Sequence, residues 1–146
     1  MTVREIRKEE LDALLALYTH LHEPFVPEQT PVLLDAWARI LADPWHHILV
    51  AEEEDALVSS CVCVIVPNLT RGGRPYALVE NVVTRADRRG RGFATACLAH
   101  ARALAAQAGC YKIMLLTGAK DAATLRFYER AGFSRGEKTG FVQRLP

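Results

Sequence analysis

The sequence has no run of about 18 consecutive apolar residues, so no segment is expected to cross a membrane as a helix. It has almost no net charge: 18 Lys and Arg against 17 Asp and Glu leave +1. So even a balance argues against general nucleic-acid binding and against a charged tail. No nucleic-acid and no membrane partner is expected. The opening MTVREIRKEELD lacks the apolar core of a signal peptide, and the expected location is the cytoplasm. Cysteine is sparse: Cys61, Cys63, Cys97 and Cys110 lie scattered over apolar segments. Cys61 and Cys63 would share one strand face, but no second pair or Cys/His cluster completes a tetrahedral set. The histidines form no HxxxH or HExxH frame. No metal is expected, and the cysteines read as buried core thiols. Repeats, low-complexity runs and linkers are also absent, so residues 1–146 are expected to form one domain.

Half of the residues are hydrophobic, enough to bury a core without staples. A short strand is predicted over residues 2–6. A helix follows over 8–22, with Leu11, Leu14, Leu15, Tyr18 and Leu21 at helical spacing. Proline at a first-turn position starts a second helix at Pro31, ending near Leu41 with Leu33, Leu34 and Trp37 in its stripe. Residues 46–53 and 56–66 read as a hairpin joined by Glu53-Glu54-Asp55. Residues 76–84, YALVENVVT, form a strand carrying the polar pair Glu80-Asn81 where core residues are expected. A long Ala-rich helix from Phe93 stops at Gly109. A strand at 111–116, a short helix ending at Gly132 and two short tail strands complete the chain. The β-α-β middle predicts two parallel strands with a right-handed crossover.

Chemistry concentrates in Arg88-Arg89-Gly90-Arg91-Gly92-Phe93-Ala94-Thr95. Glycines let backbone approach a ligand closely. The helix start that follows leaves unpaired N–H groups at a positive dipole end. Together they suit a phosphate, and three arginines could add charge-assisted contacts. The pattern GxxxxGKS/T is absent, and so is GxGxxG.

Arg89, Gly92 and Ala94 instead match Arg-x-x-Gly-x-Ala, which resembles the acetyl-CoA pyrophosphate loop of the GNAT N-acetyltransferase superfamily. The context extends the resemblance. VENVVT is similar to that family's fourth strand, and Phe127-Tyr128-Glu129-Arg130-Ala131-Gly132-Phe133 to its second signature helix. The resemblance implies an α/β fold in which a strongly twisted mixed sheet is flanked by helices. It implies acetyl-CoA as co-substrate, with pantetheine entering beside a splayed fourth strand. Val82 and Val83 would give backbone contacts, and the amides of Arg89 to Thr95 would hold the pyrophosphate.

Transfer to an amine requires a neutral nucleophile, an oxyanion donor and a proton for the thiolate. Tyr128, with a neutral phenol at pH 7, is the expected acid. Glu80 is the expected base, or a contact that binds the substrate amine without taking its proton, and half-burial in a strand would raise its pKa. The backbone N–H of Val82 or Val83 is the expected oxyanion donor. His20 and His22 would sit near the acceptor pocket or at a helix C-terminus. Phe25, Pro24, Pro27 and Trp37 would form an apolar acceptor wall. The run Gly109-Cys110-Tyr111-Lys112-Ile113, with Glu80-Asn81-Val82-Val83, resembles glucosamine-6-phosphate N-acetyltransferases. Two features depart from them: Leu116 stands where they carry an acid, and the segment before Phe127 is longer. The expected activity is acetylation of a small-molecule primary amine. The alternatives are an amino-sugar phosphate acceptor or a non-catalytic acyl-CoA sensor. A homodimer through the C-terminal segment is also expected.

Overall fold

The computed structural model describes residues 1–146. Its elements are β1 (Thr2–Glu5), α1 (Leu11–Tyr18), α2 (Pro31–Ala42), β2 (His46–Glu53), β3 (Ala56–Val66), β4 (Tyr76–Thr84), α3 (Phe93–Gln107), β5 (Ile113–Leu115) and α4 (Ala122–Arg130). The sheet order is β1-β2-β3-β4-β5. The first three pairings are antiparallel and β4–β5 is parallel, as the β-α-β order predicts.

Local chemistry explains most boundaries. Glu54 and Asp55 take φ of 51° and 60°, the two left-handed positions of a tight hairpin turn between β2 and β3. Thr30 caps α2 by accepting from the Leu33 N–H at 3.2 Å, with Pro31 behind it. Asp121 caps α4 by accepting from the Thr124 N–H at 2.9 Å.

Two layers of apolar packing hold the sheet. On one face, α3 buries Phe93, Cys97, Leu98, Ala101 and Ala105 against Leu49, Val58, Cys61, Cys63, Ala77 and Val79. Phe127, Tyr128 and Phe133 pack at the margin of this cluster. On the other face, Leu14 and Trp37 cover Ile48, Val50 and Val62. Trp37 is therefore core, not an acceptor wall, while Phe25 stands 69% exposed. Cys61, Cys63 and Cys97 are buried and Cys110 is half-buried.

Three predicted boundaries differ. The first helix begins as a 3-10 turn, Lys8–Glu10, because the Glu10 carboxylate turns back to accept from the Arg7 N–H. It ends at Tyr18, after which Thr19, His20 and Leu21 continue only as three-residue turns. The fifth strand shortens to three residues. The two predicted tail strands are absent: no strand follows α4. The tail's apolar residues do not alternate, and Phe141 and Leu145 stay 90% and 84% exposed. The tail passes β5 closely at Gly140, where a Cβ would lie 2.6 Å from the Leu116 side chain.

Candidate active site

The site is a gap in the sheet. Strands β4 and β5 pair only over Ala77–Val79 and Ile113–Leu115. From Glu80 to Thr84, β4 continues with no β5 partner. A bulge marks the divergence: the β3–β4 register shifts between Ser60 and Val62, and Asn81 takes φ of 52°. The polar pair noticed in the sequence is this bulge. Beyond it β4 is pinned to β3, because the buried Ser59 hydroxyl donates to the Val83 carbonyl at 2.8 Å and contacts the Thr84 hydroxyl. The Arg85 N–H reaches the Val58 carbonyl at 2.8 Å. Strand alternation from there turns the Val83 backbone toward β3 and the Val82 N–H toward the gap.

At the end of the gap lies the turn into α3. Gly90 and Gly92 take φ of 75° and 85°. Gly92 occupies the N-cap and offers no capping side chain. The amides from Arg89 to Thr95 find no backbone acceptor; the next, Ala96, donates to the Gly92 carbonyl at 3.0 Å. Unpaired N–H groups thus converge where the α3 dipole is positive. A Cβ on Gly90 or Gly92 would meet no protein atom within 4 Å, so both face open space.

The arginine side chains do not point into that space, contrary to expectation. The Arg88 Nε donates to the Glu53 carboxylate at 2.7 Å, and Arg91 donates to the same carboxylate at 2.9 Å. Arg89 donates to the Thr84 and His20 carbonyls at 3.2 and 3.0 Å. The Ala86 N–H donates to His20 Nδ1 at 3.2 Å. Glu53 and His20 therefore anchor the loop from two sides. His20 is a fastener between the end of α1 and this loop. The Arg85 guanidinium holds the Asp87 carboxyl below the usual carboxylate range.

Tyr128 sits on the α3 side of the gap. It is half-buried, with its ring edge-on to Phe127 at 5.0 Å and to Phe133 at 6.4 Å. Burial pushes its phenol above the ordinary value of 10.0, and the nearby Cys61 thiol adds to this. Its hydroxyl makes no hydrogen bond in the protein. No buried polar side-chain atom is left unpartnered, so the hydroxyl is open to solvent. Burial also pushes the Cys63 thiol up to about 11, and Cys61 is raised by the neighbouring Cys97 thiol and by burial. These thiols are protonated core groups, not nucleophiles.

Glu80 faces the opposite side of the sheet. It lies across from Val62, which belongs to the α1/α2 core. It is exposed, not half-buried as expected. Next to it the half-buried Tyr18 is raised by burial, opposed by the neighbouring Asn81 side chain.

Comparison with known proteins agrees with this geometry. The family model of the acetyltransferase (GNAT) family matches residues 11–133. The chain belongs to the GNAT acetyltransferase family. A solved structure of a proposed acetyltransferase from Agrobacterium tumefaciens is 44% identical and superposes with a TM-score of 0.91, covering 99% of this chain and 100% of that one. A transcriptional regulator from Bacillus halodurans is 26% identical, with a TM-score of 0.88 over 99% of both chains. A glucosamine 6-phosphate N-acetyltransferase from Trypanosoma brucei brucei is 28% identical over 94% of this chain and 92% of its own.

In this GNAT enzyme, sequence reasoning missed Glu53, Tyr18 and Asn81 as neighbours of the site. Glu53 looks like turn chemistry, and its pairing with Arg88 and Arg91 spans 35 and 38 residues. Tyr18 looks like one more apolar position of a helix stripe. Only the unusual polar pair at 80–81 carried a local signal. No helix is long and apolar enough to cross a membrane.

Proposed function

We propose that this acetyltransferase moves the acetyl group of acetyl-CoA to the primary amine of a small molecule, by direct attack in a ternary complex on one domain spanning 1–146. The observation that carries this reading is the unpartnered stretch of β4 beyond Val79, with Tyr128 on one face and Glu80 on the other. Pantetheine fits the gap as a substitute strand, bonding to the Val82 backbone, with Val83 supporting it from the β3 side. The amides of Arg89, Gly90, Arg91, Gly92, Phe93, Ala94 and Thr95 receive the pyrophosphate. Arg88 and Arg91 act through Glu53, holding the loop rather than the phosphates.

The acceptor approaches from the Glu80 face, and its ammonium first loses a proton to Glu80, directly or through water. The neutral nitrogen attacks the thioester carbonyl, and the Val82 N–H stabilises the oxyanion. The C–S bond then breaks on the Tyr128 side, where the phenol protonates the thiolate, while the amide nitrogen gives up its remaining proton to water, and Glu80 and Tyr128 re-equilibrate with solvent. A raised phenol pKa suits this role, since it keeps the acid protonated over the working range. Free thiols suit a reducing compartment, in line with a cytoplasmic location.

An amino-sugar phosphate acceptor is the second reading, supported by the trypanosomal relative, which aligns over nearly the whole of both chains. Homodimerisation through the tail is supported by the exposed Phe141, Val142 and Leu145 near the short edge strand, and light scattering tests it. The function is tested by mass spectrometry of acetyl-CoA incubated with polyamines, amino acids, amino-sugar phosphates and lysine peptides. Acetylated amine with equimolar CoA is expected. Acetyl-CoA that binds but survives every amine would favour a sensor instead.

A further inference from the structure

A second polar feature lies on the face of the sheet that carries Glu80. Opposite residues of an antiparallel pair share a face, so Glu80, Leu78 and Tyr76 lie in one row across from Val62, Val64 and Val66. On β5, Met114 is level with Leu78, which brings Lys112 level with Tyr76. The Lys112 ammonium lies 5.2 Å from the centres of both the Tyr76 and Tyr111 rings. The Arg71 guanidinium lies 5.2 Å from the centre of the same Tyr111 ring. Two cations are thus held in place by aromatic rings instead of carboxylates.

Arg71, Tyr111 and Lys112 line a cleft of about 380 Å³ with Arg74, Glu137 and Lys138. Arg74 is committed to the Gly109 and Cys110 carbonyls at 3.1 Å. Arg71, Lys112 and Lys138 have no carboxylate within salt-bridge distance, while Glu137 is the one acid in the lining. The cluster is uncompensated in a chain whose total charge is only +1. Arg71 also holds φ of 55°, followed by Gly72 and Gly73 at 71° and 82°. A non-glycine residue held there marks a segment whose conformation is imposed.

We infer that the acceptor carries an anionic group, phosphate or carboxylate, which Lys112 and Arg71 bind while its amine lies at Glu80. This rests on the acetyltransferase reading and adds the acceptor's charge and length. Glu80 lies four strand steps beyond Tyr76, about 13 Å at the usual rise of ~3.3 Å. Leu78, 36% exposed, lies between and offers an apolar floor. The acceptor is therefore an elongated amine, anionic at its far end and apolar in its middle.

The test uses a series of ω-aminoalkyl phosphates of increasing chain length, with matched ω-amino carboxylates and uncharged alkylamines. Longer anionic acceptors are expected to be used with lower KM than short ones or neutral ones of equal length. Lys112→Ala and Arg71→Ala should each raise that KM about tenfold or more. The KM for acetyl-CoA and the turnover of neutral amines should stay unchanged, and Lys112→Arg should restore most of the loss. The phosphate and carboxylate arms identify the anion. Equal KM for charged and neutral amines, or variants that leave the anionic KM unmoved, would overturn the inference. Amide NMR shifts at residues 71–74, 76 and 110–112 on adding a long aminoalkyl phosphate read the site without catalysis. Their absence overturns the inference even if no amine is acetylated, whereas failed acetylation with those shifts present counts against the enzyme reading alone.

Discussion

Replacing Gly92 probes the proposed pyrophosphate loop with a side chain that the protein itself can accommodate. Nothing lies within 4 Å of a Cβ built there, so any effect comes from backbone conformation and from whatever occupies the open space. Gly92 holds φ of 85°, and a residue with a Cβ in that region is strained by about 1–2 kcal/mol. Gly92→Ala therefore lowers stability, or, where the loop relaxes and misaligns its amides, weakens acetyl-CoA by about 5–30-fold. Gly92→Glu adds a carboxylate beside the bound pyrophosphate. Two like charges about 4 Å apart repel by roughly 4 kcal/mol at an effective dielectric of 20. That is about 10³-fold in affinity, beyond the alanine effect. Titration calorimetry with acetyl-CoA, beside a thermal melt, measures both variants. Gly92→Glu that still melts cooperatively and binds acetyl-CoA within tenfold of wild type would refute the placement of the pyrophosphate.

Three further outcomes are expected. Tyr128→Phe lowers kcat about 10²-fold with the KM for acetyl-CoA nearly unchanged, as steady-state kinetics would read. Because burial raises the Tyr128 pKa, the activity lost by deprotonating this acid falls only above pH 10.0; such a limb near neutrality, abolished in Tyr128→Phe, would contradict its role. Glu80→Gln lowers kcat/KM for the amine by roughly 10²-fold, and raising the pH, which supplies more neutral amine, recovers part of it. Away from the site, the Arg4 guanidinium donates to Glu10 and Glu52 at 2.7 and 2.9 Å and holds the Glu10 carboxyl below its usual range. A depressed folded-state pKa adds stability that is present above the unfolded pKa and lost as pH falls through the folded one. Glu10→Gln should therefore cost about 1–3 kcal/mol in urea at pH 7, and the difference should shrink at acid pH.

Much of the fold is local and therefore legible. The turn at Glu54-Asp55, the helix start at Pro31 and the β-α-β order are all written in short stretches of sequence. The site is legible where its chemistry is backbone chemistry, since Gly90 and Gly92 announce the loop by their conformational freedom. It is illegible where long-range partners decide. The arginines looked free for phosphate, but Glu53 on another strand holds two of them. Glu80 looked half-buried by its place in a strand, but the bulge at Asn81 and the divergence from β5 leave it exposed. The tail looked like strands by composition, yet its apolar residues do not alternate and it forms no ladder with the edge strand β5.

The central claim is acetyl transfer across the gap, with the leaving thiolate on the Tyr128 side. Its most direct measurement is a single-turnover experiment with carbonyl-labelled acetyl-CoA, the amine panel and wild-type or Tyr128→Phe protein, read by mass spectrometry. The account predicts labelled N-acetyl amine and one CoA per acetyl-CoA consumed in wild type, with the rate about 10²-fold lower in the variant. Bound, intact acetyl-CoA with every amine, or equal rates in the two proteins, would contradict it.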